Sequence, residues 1–372
     1  MQDLRELELA KKLVNYSCNV QPNENVLVIY SDCSEYLINS LVKEVSNAKG
    51  NIYLRPEIKS NMKNMIKYGT AEHFQQMADF DVPFFEKMDA VIMIRGSKND
   101  FEFNDIPAEQ KSLYDSIYYK PVHFGVRCKK KWVILRYPTP SFAQNSKMST
   151  EDFEDFYFNV CNFDYLKLSN AMDNLKNLMD KTDKVQIIAP ETDLTFSIKG
   201  MGAVKCCGEC NIPDGELYTA PVKNSVNGTI KFNVPTMEDG KKFEYIKLTF
   251  ENGKIIDFSS DNETALKHIL NTDEGSRYVG EFAFGLNPYI EYPINDILFD
   301  EKMSKSIHIA VGGSLEDCDN GNDSAIHWDL IQSHKVAHGG GKIYFDDELI
   351  YENGNFLLPE LVALNTENLL KC

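Results

Sequence analysis

The stretch NVLVIYSDCSEYLINSLVKEVSNAKGNIYLR at residues 25–55 decides the fold of the first half of the chain. It opens with an apolar run at Asn25–Tyr30, continues with helical spacing of apolar side chains over Glu35–Asn47, and returns to a strand-like run at Asn51–Arg55. A strand, a helix and a second strand in this order are typical of a βαβ unit, whose two strands are parallel. The sequence therefore predicts a parallel sheet with crossover helices.

The same alternation continues beyond this stretch. A helical segment near Thr70–Met77 precedes a strand at Ala90–Arg95, and a further strand-like run lies at Lys131–Arg136. No Gly-x-Gly-x-x-Gly follows any of these strands, so the sequence gives no support for a dinucleotide site. From residue 183 onward, short β-rich runs are separated by turns such as Asn252–Gly253, a pattern typical of hairpins.

These patterns predict two domains of different fold class. We expect an α/β N-terminal domain with a mainly parallel sheet over residues 1–185, and a β-rich α+β C-terminal domain over residues 186–372. A chain of 372 residues with 43% hydrophobic content is long enough to bury two cores of this size.

Composition also bears on the compartment. The longest apolar runs are far shorter than the ~20 residues that a membrane-spanning helix needs. The N-terminus lacks the charged-then-apolar order of a signal peptide. Nine cysteines dispersed over a long chain are typical of reduced thiols. We therefore expect a cytoplasmic protein without a membrane span.

The formal net charge of −17 bears on the class of partner. Proteins that bind nucleic acids place Lys and Arg against phosphates, so this charge argues against a nucleic-acid partner. An acidic protein instead favours cationic ligands, and a peptide with a free α-amino group is one of them. A general acidic surface also serves solubility alone.

Two histidine motifs stand close together in the last quarter of the chain. His308 lies in SIHIAVG, and His327 and Asp329 lie in SAIHWD. Residues two apart on a strand project from the same face, so His327 and Asp329 can face one metal ion. By itself this spacing is more often an ordinary hydrogen-bonded pair. His73, His123 and His268 have no recognisable partners, and we interpret them as core or surface residues.

Two upstream glutamates have unusual surroundings. Glu216 ends the turn sequence NIPDGE, which presents a carboxylate at the start of a strand. Glu281 lies among apolar residues and glycines in VGEFAFG, where burial of a carboxylate is costly unless a positive group pairs with it. A salt bridge to Arg277, or exposure at a sheet edge, is the alternative interpretation of Glu281.

Five motifs in a fixed order resemble one known family. They are NIPDGE at 211–216, GEFAFG at 280–285, LFDE at 298–301, HIAVG at 308–312 and IHWD at 326–329. This order is similar to that of the thermophilic-type metallo-aminopeptidases, the family of the aminopeptidase T and aminopeptidase S (AmpS/PepS) type. The similarity extends over about residues 130–356, because PTPSFAQ at 138–144 also resembles the family.

The resemblance implies a dinuclear metal site in the C-terminal domain. The residues that match the liganding positions of the family are Glu216, Glu281, Glu301, His308, His327 and Asp329. Two ions close together need carboxylates that bridge or cap them, and such ions activate a water and polarise a carbonyl group. Glu281 is the candidate for a residue that both contacts the metal site and helps to move the proton. Mixed carboxylate and imidazole ligands suit zinc, cobalt, manganese or magnesium.

The function implied by the resemblance is release of N-terminal amino acids from peptides, by a homodimeric enzyme. The chain departs from the family at several places, among them the short loop Glu316–Asp323. The interval Lys302–Ile307 is longer than usual, so a ligand role of Glu301 requires an insertion, and Leu315 stands where the family typically has a tyrosine. Two alternatives therefore remain: a catalytically impaired homologue that binds peptides, and a dinuclear hydrolase of another amide or ester.

One further motif, Cys206-Cys207-Gly208-Glu209-Cys210, contains a Cys-x-x-Cys. A structural zinc site normally needs a second such pair, and the sequence has none, so we interpret these cysteines as reduced thiols beside Glu216.

Overall fold

The computed structural model describes residues 3–238 and 240–371, and the chain divides into two compact units. The first unit comprises Met1–Phe163 and Gly208–Pro213, and the second comprises Asp164–Cys207 and Asp214–Cys372. None of the described helices has the length and apolar character that crossing a membrane requires.

The first unit contains a parallel sheet with helices between its strands. The first four strands are β1 (Asn25–Ser31), β2 (Asn51–Pro56), β3 (Ala90–Arg95) and β4 (Lys131–Arg136). The α-helices are α1 (Leu4–Lys12), α2 (Glu35–Asn47), α3 (Lys59–Tyr68), α4 (Ala71–Glu86), α5 (Ala108–Tyr114), α6 (Pro140–Asn145) and α7 (Thr150–Cys161). The strands lie in the order β2-β1-β3-β4 and pair in parallel. The central strands β1 and β3 are almost wholly buried, whereas the edge strand β2 is largely exposed.

The βαβ prediction for residues 25–55 is confirmed. The pairing of β1 and β2 aligns Asn25 with Asn51, and α2 connects them. The side chain of Ser34 accepts a hydrogen bond from the backbone N–H of Tyr36, which satisfies one of the free donors at the start of α2. Helix α4 is longer than predicted and runs to Glu86.

The second unit begins with helix α8 (Tyr165–Met179), followed by β5 (Lys184–Ala189), β6 (Thr192–Ser197) and β7 (Val204–Cys206). The chain then returns to the first unit, where β8 (Asn211–Ile212) lies parallel to β4 as a fifth strand. The two units divide before α8, because α8 packs against β7, whereas the sequence-based boundary lies after α8 at residue 185.

The rest of the second unit is rich in strands, as predicted. The strands are β9 (Glu216–Thr219), β10 (Asn227–Phe232), β11 (Thr236–Glu238), β12 (Lys241–Phe243), β13 (Ile246–Glu251), β14 (Lys254–Ser260), β15 (Val279–Gly285), β16 (Ser306–Gly312), β17 (His327–Ser333), β18 (Lys342–Phe345), β19 (Glu348–Glu352) and β20 (Asn355–Phe356). The helices are α9 (Glu263–Ile269), α10 (Ile297–Asp300) and α11 (Thr366–Leu369).

These strands form two larger antiparallel sheets and a small hairpin of β11 and β12. The eight-stranded sheet has the order β14-β13-β10-β6-β5-β18-β19-β20, and the five-stranded sheet has the order β17-β16-β15-β9-β7. Aromatic side chains of the two sheets meet: the ring centroids of Phe282 and Phe196 are 5.1 Å apart, and those of Phe284 and Tyr351 are 5.6 Å apart. One face of the five-stranded sheet thus belongs to the core, which leaves its opposite face for polar side chains.

Candidate metal centre

The polar face of the five-stranded sheet carries the histidines and carboxylates selected from the sequence. In the antiparallel register, Glu281 lies opposite Ala310 and Ala310 lies opposite Asp329, so that these three side chains share a face. By the same register His308 lies opposite Ala283. The alanines leave space between the larger polar groups.

Glu216 joins the same face from the start of β9. It lies opposite Gly285 of β15. The turn before it depends on Gly215, whose φ of +125° lies in the region that favours glycine, and a Cβ at this position would come within 3.1 Å of Asn287. The turn sequence therefore fixes the direction in which Glu216 enters the sheet.

Glu281 lies at the centre of the cluster. Its Oε1 is 3.2 Å from Nε2 of His308, and its Oε2 is 3.2 Å from Nε2 of His327. Oε2 of Glu216 is 3.5 Å from Nε2 of His308, and Oδ1 of Asp329 is 3.5 Å from Nε2 of His327. The ligand atoms therefore form two groups of three residues that share Glu281: one with Glu216 and His308, the other with His327 and Asp329.

Backbone carbonyl groups orient both imidazole rings. Nδ1 of His308 lies 3.0 Å from the carbonyl oxygen of Glu301, and Nδ1 of His327 lies 2.7 Å from that of Gly313. A carbonyl oxygen only accepts hydrogen bonds, so each Nδ1 carries a hydrogen and donates it. In the neutral tautomer Nε2 then has a free lone pair directed at the carboxylates, which is the arrangement of a metal-binding histidine.

The carboxylates strongly affect the pKa values of the histidines. Burial alone would lower the pKa of His327, but the neighbouring carboxylates of Asp329 and Glu281 outweigh it and raise this pKa to about 11. Burial likewise opposes the charged form of His308, and Glu281 and Glu216 raise its pKa. Although burial raises the pKa of Glu281, its hydrogen bonds with both histidines bring it below the usual value. The cluster thus requires positive charge between its carboxylates.

Glu301 lies beside this cluster, with a different partner. Its carboxylate is hydrogen-bonded to the ammonium group of Lys302. The same ammonium group is 3.4 Å from Oε1 of Glu216. Burial lowers the pKa of Lys302, but the carboxylates of Glu216 and Asp214 outweigh it and raise this pKa. The ligand role of Glu301 stays a prediction.

Two further charged residues near Glu216 were not predicted from the sequence. Lys302 is only 1% exposed, and Asp214 forms a close group with Glu216 and Cys206. Asp214 stands two residues before Glu216 in NIPDGE, so the motif itself was the available signal. For Lys302 the signal was its place at the start of the unusually long interval after Glu301.

The alternative interpretation of Glu281 is wrong. Arg277 donates hydrogen bonds to the carbonyl oxygen of Ile255 and to Oδ1 of Asn271, and β15 lies between β16 and β9 instead of at a sheet edge. The positive groups beside Glu281 are the two histidines.

Comparison with known proteins identifies a family. The sequence profile described as thermophilic metalloprotease (M29) matches residues 3–356, which is nearly the whole chain. The chain belongs to the M29 thermophilic metalloprotease family. The resemblance inferred from the five motifs is thereby confirmed.

Relatives within the M29 family are named as aminopeptidases. Aminopeptidase AmpS of Bacillus subtilis is 37% identical over 143 residues, which cover 34% of this chain and 34% of that protein. Aminopeptidase 2 of Geobacillus stearothermophilus is 35% identical over 170 residues, which cover 39% and 40% of the two chains. These two matches thus span well under half of each relative. Aminopeptidase PepS of Streptococcus thermophilus is 23% identical over 412 residues, covering 94% of this chain and 97% of that protein.

A solved structure shares the fold of this M29 chain. Wild-type AmpT from Thermus thermophilus superposes with a TM-score of 0.77 at 19% identity, over 95% of this chain and 100% of that one. The predicted fold class, a parallel α/β part followed by a β-rich part, is confirmed by this similarity and by the strand order.

Proposed function

We propose that this chain is a metal-dependent aminopeptidase that releases N-terminal amino acids from peptides with the help of two divalent metal ions. The observation that supports this proposal is the pair of three-residue groups that share Glu281 on one face of the sheet. Membership of a metalloprotease family and relatives named as aminopeptidases favour the same activity.

The side chains in the cluster fit such ions. Among the described residues, Oε2 of Glu216 and Oδ1 of Asp329 are buried and accept no hydrogen bond. Buried carboxylate oxygens without a donor are costly, and a cation in contact with them removes that cost. Carboxylate and imidazole ligands suit zinc, cobalt, manganese or magnesium, among which availability decides.

We assign one ion to Glu216, Glu281 and His308, and the other to Glu281, His327 and Asp329. When bound, two such ions activate a water molecule as the nucleophile and polarise the carbonyl group of the scissile bond. Glu281 belongs to both groups, so its carboxylate would help to hold both ions. We also propose that Glu281 helps to move the proton of the nucleophile, because it is the carboxylate at the centre of the cluster.

The substrate would be a peptide with a free amino terminus. Besides Glu301, which is paired with Lys302, four carboxylates lie in and next to the centre, at Asp214, Glu216, Glu281 and Asp329, and they favour a cationic group. Leu315, which stands where the resemblance implies a tyrosine, is 36% exposed and precedes the turn Glu316–Cys318. A leucine has no hydroxyl group that could donate a hydrogen bond to the negative charge that develops during peptide hydrolysis. A measurement of turnover therefore distinguishes an active enzyme from a homologue that only binds peptides.

The test combines elemental analysis of the purified protein with hydrolysis of a panel of aminoacyl-anilides and their N-acetylated counterparts. We expect two divalent ions per chain and turnover of the free amines alone. Two ions without turnover would support the peptide-binding homologue. Equal cleavage of acetylated and free substrates would support a hydrolase of another amide or ester.

The homodimer and the cytoplasmic location belong to the same proposal. Light scattering of the purified protein tests the first, with twice the chain mass of 42.4 kDa as the expected result. Fractionation of the source cells tests the second.

A further inference from the structure

A buried lysine sits at one end of the carboxylate cluster. Lys302 is one of the largest fully buried side chains of the structure, at 1% exposure. Its ammonium group contacts the carboxylate of Glu301 and lies 3.4 Å from Oε1 of Glu216. The positive charge of Lys302 therefore lies between Glu216, a carboxylate of the candidate metal centre, and Glu301, the further ligand that the family resemblance implies.

The backbone holds this lysine firmly in place. The backbone N–H of Lys302 donates to the carbonyl oxygen of Phe299, and the carbonyl oxygen of Lys302 accepts from the backbone N–H of Asn287. The segment around it approaches β15 at Gly285, where a Cβ would come within 2.2 Å of the carbonyl oxygen of Met303. This close approach requires a residue without a side chain, so the position of Lys302 relative to the sheet is fixed.

The two oxygens of Glu216 face different groups. Oε1 is directed towards Lys302, and the buried Oε2 lies 3.5 Å from Nε2 of His308. If an ion is bound by Glu216, Glu281 and His308, the carboxylate of Glu216 also interacts with the ammonium group of Lys302. The group of Glu281, His327 and Asp329 includes neither of the carboxylates that Lys302 contacts.

We propose that Lys302 makes the two metal positions unequal, by occupying Glu301 and competing for the charge of Glu216, so that the ion beside Glu216 is bound more weakly than the ion beside Asp329. This inference rests on the proposed dinuclear site. Like charges repel at short range, and a fixed ammonium group near a divalent cation lowers the affinity of that cation. Glu301 is then a partner of Lys302 and not a metal ligand.

The test is stepwise metal binding to the metal-free full-length chain, measured by calorimetry with Zn²⁺ and, separately, with Mn²⁺. We expect two binding steps whose affinities differ by at least ~10-fold in the unmodified protein. In Lys302→Met, which keeps the length of the side chain and removes its charge, the weaker step becomes at least ~10-fold tighter and the stronger step stays the same. Lys305→Met, on the same loop, is the control and leaves both steps unchanged.

A double-mutant cycle tests the role of Glu301 directly. Glu301→Gln in the unmodified protein weakens the weaker step only slightly, because it removes a partner of Lys302 and not a ligand of the ion. Glu301→Gln in the Lys302→Met protein reverses most of the gain, because the carboxylate of Glu301 is free to bind the ion in that protein. Additive effects would overturn this part of the inference.

The outcomes separate the two proposals. Two steps of equal affinity in the unmodified protein overturn the role of Lys302 and leave the proposed function standing, and this measurement needs no variant to fold. Binding of no ion at all overturns both. If Lys302→Met binds the second ion no better than the unmodified protein, the inference is likewise wrong.

Discussion

Two regions of this molecule bury histidines and affect them in opposite ways. In the first unit, the ring of His123 lies against those of Tyr119 and Phe85, with centroids 4.5 and 5.6 Å away, and burial together with Arg127 lowers its pKa to about 3. In the second unit, burial acts in the same direction on His308, which is 1% exposed, but Glu281 and Glu216 raise its pKa.

The difference shows what turns a buried imidazole into a candidate ligand. Among aromatic rings the neutral form is favoured and the residue serves the core. Between carboxylates the ring is held in a place where a positive charge is needed, and a proton or a metal ion can supply it. Burial alone therefore does not mark a functional histidine; the carboxylates around it do.

The largest effect is expected from a substitution at the centre of the carboxylate cluster, the region of the second unit compared above. Glu281→Gln keeps the size of the side chain and removes the charge shared by both three-residue groups. We expect turnover of an aminoacyl-anilide to fall at least ~100-fold while the chain still folds. The measurement is steady-state kinetics, with circular dichroism as the check on folding. Glu251→Gln, at the exposed end of β13, is the matched control, and equal activity of the two variants would contradict the assignment.

A second prediction concerns the pH dependence of stability that arises from His123 and the aromatic rings around it. His123 has a folded pKa of about 3, below the usual 6.5, so the unfolded chain binds a proton that the folded chain excludes. Stability from this residue is fully present above pH 6.5 and is lost as the pH falls from there towards 3. At pH 5 the loss is about 2 kcal/mol in the free energy of unfolding, since one pKa unit corresponds to about 1.4 kcal/mol.

The variant His123→Phe removes this loss. The described structure gives Nδ1 of His123 no hydrogen-bond partner, so an apolar ring is compatible with the site. Urea unfolding of both proteins at pH 7 and pH 5 measures how much stability each protein loses on acidification. The difference between the two losses reports on His123, because all other titrating groups are common to both proteins. His73→Phe, at an exposed position of α4, is the control. If the variant and the unmodified protein lose the same stability on acidification, the neutral buried state of His123 is wrong.

The smallest effect is expected from a substitution in the loop that precedes His327 of the carboxylate cluster. Asp273 accepts hydrogen bonds from the backbone N–H groups of Ala325 and Ser276 and from the hydroxyl of Ser324, and these bonds lower its pKa to about 2. The bonds hold the loop that leads into His327. Asp273→Asn should lower the melting temperature slightly at pH 7 and leave turnover within ~3-fold, because a surface hydrogen bond contributes little.

Scanning fluorimetry checks this prediction. The contribution of the carboxylate is present above pH 4 and is lost as the pH falls through about 2, so the difference between the two proteins should shrink in acid. Asp257→Asn, at an exposed position of β14, serves as the control. If Asp273→Asn changes the melting temperature no more than the control does, the loop does not depend on Asp273.

The sequence by itself determined the order and type of the main elements. Alternation of apolar runs and helical spacing gave β1, α2 and β2 to within one residue at most ends, because these patterns reflect burial on a sheet or on one face of a helix. Motif order was sufficient to select Glu216, Glu281, His308, His327 and Asp329, which the structure brings together on one face of the five-stranded sheet.

Only the tertiary structure decided how these residues meet. The register of β15, β16 and β17 brings together side chains that stand up to 48 residues apart in the chain, from Glu281 to Asp329, and no local pattern encodes that pairing. The return of residues 208–213 to the parallel sheet was equally hidden, because a two-residue strand has no periodicity to read. Lys302 is the clearest case: a lysine in a polar loop is ordinarily exposed, and only the packing of that loop against Gly285 buries it beside Glu216.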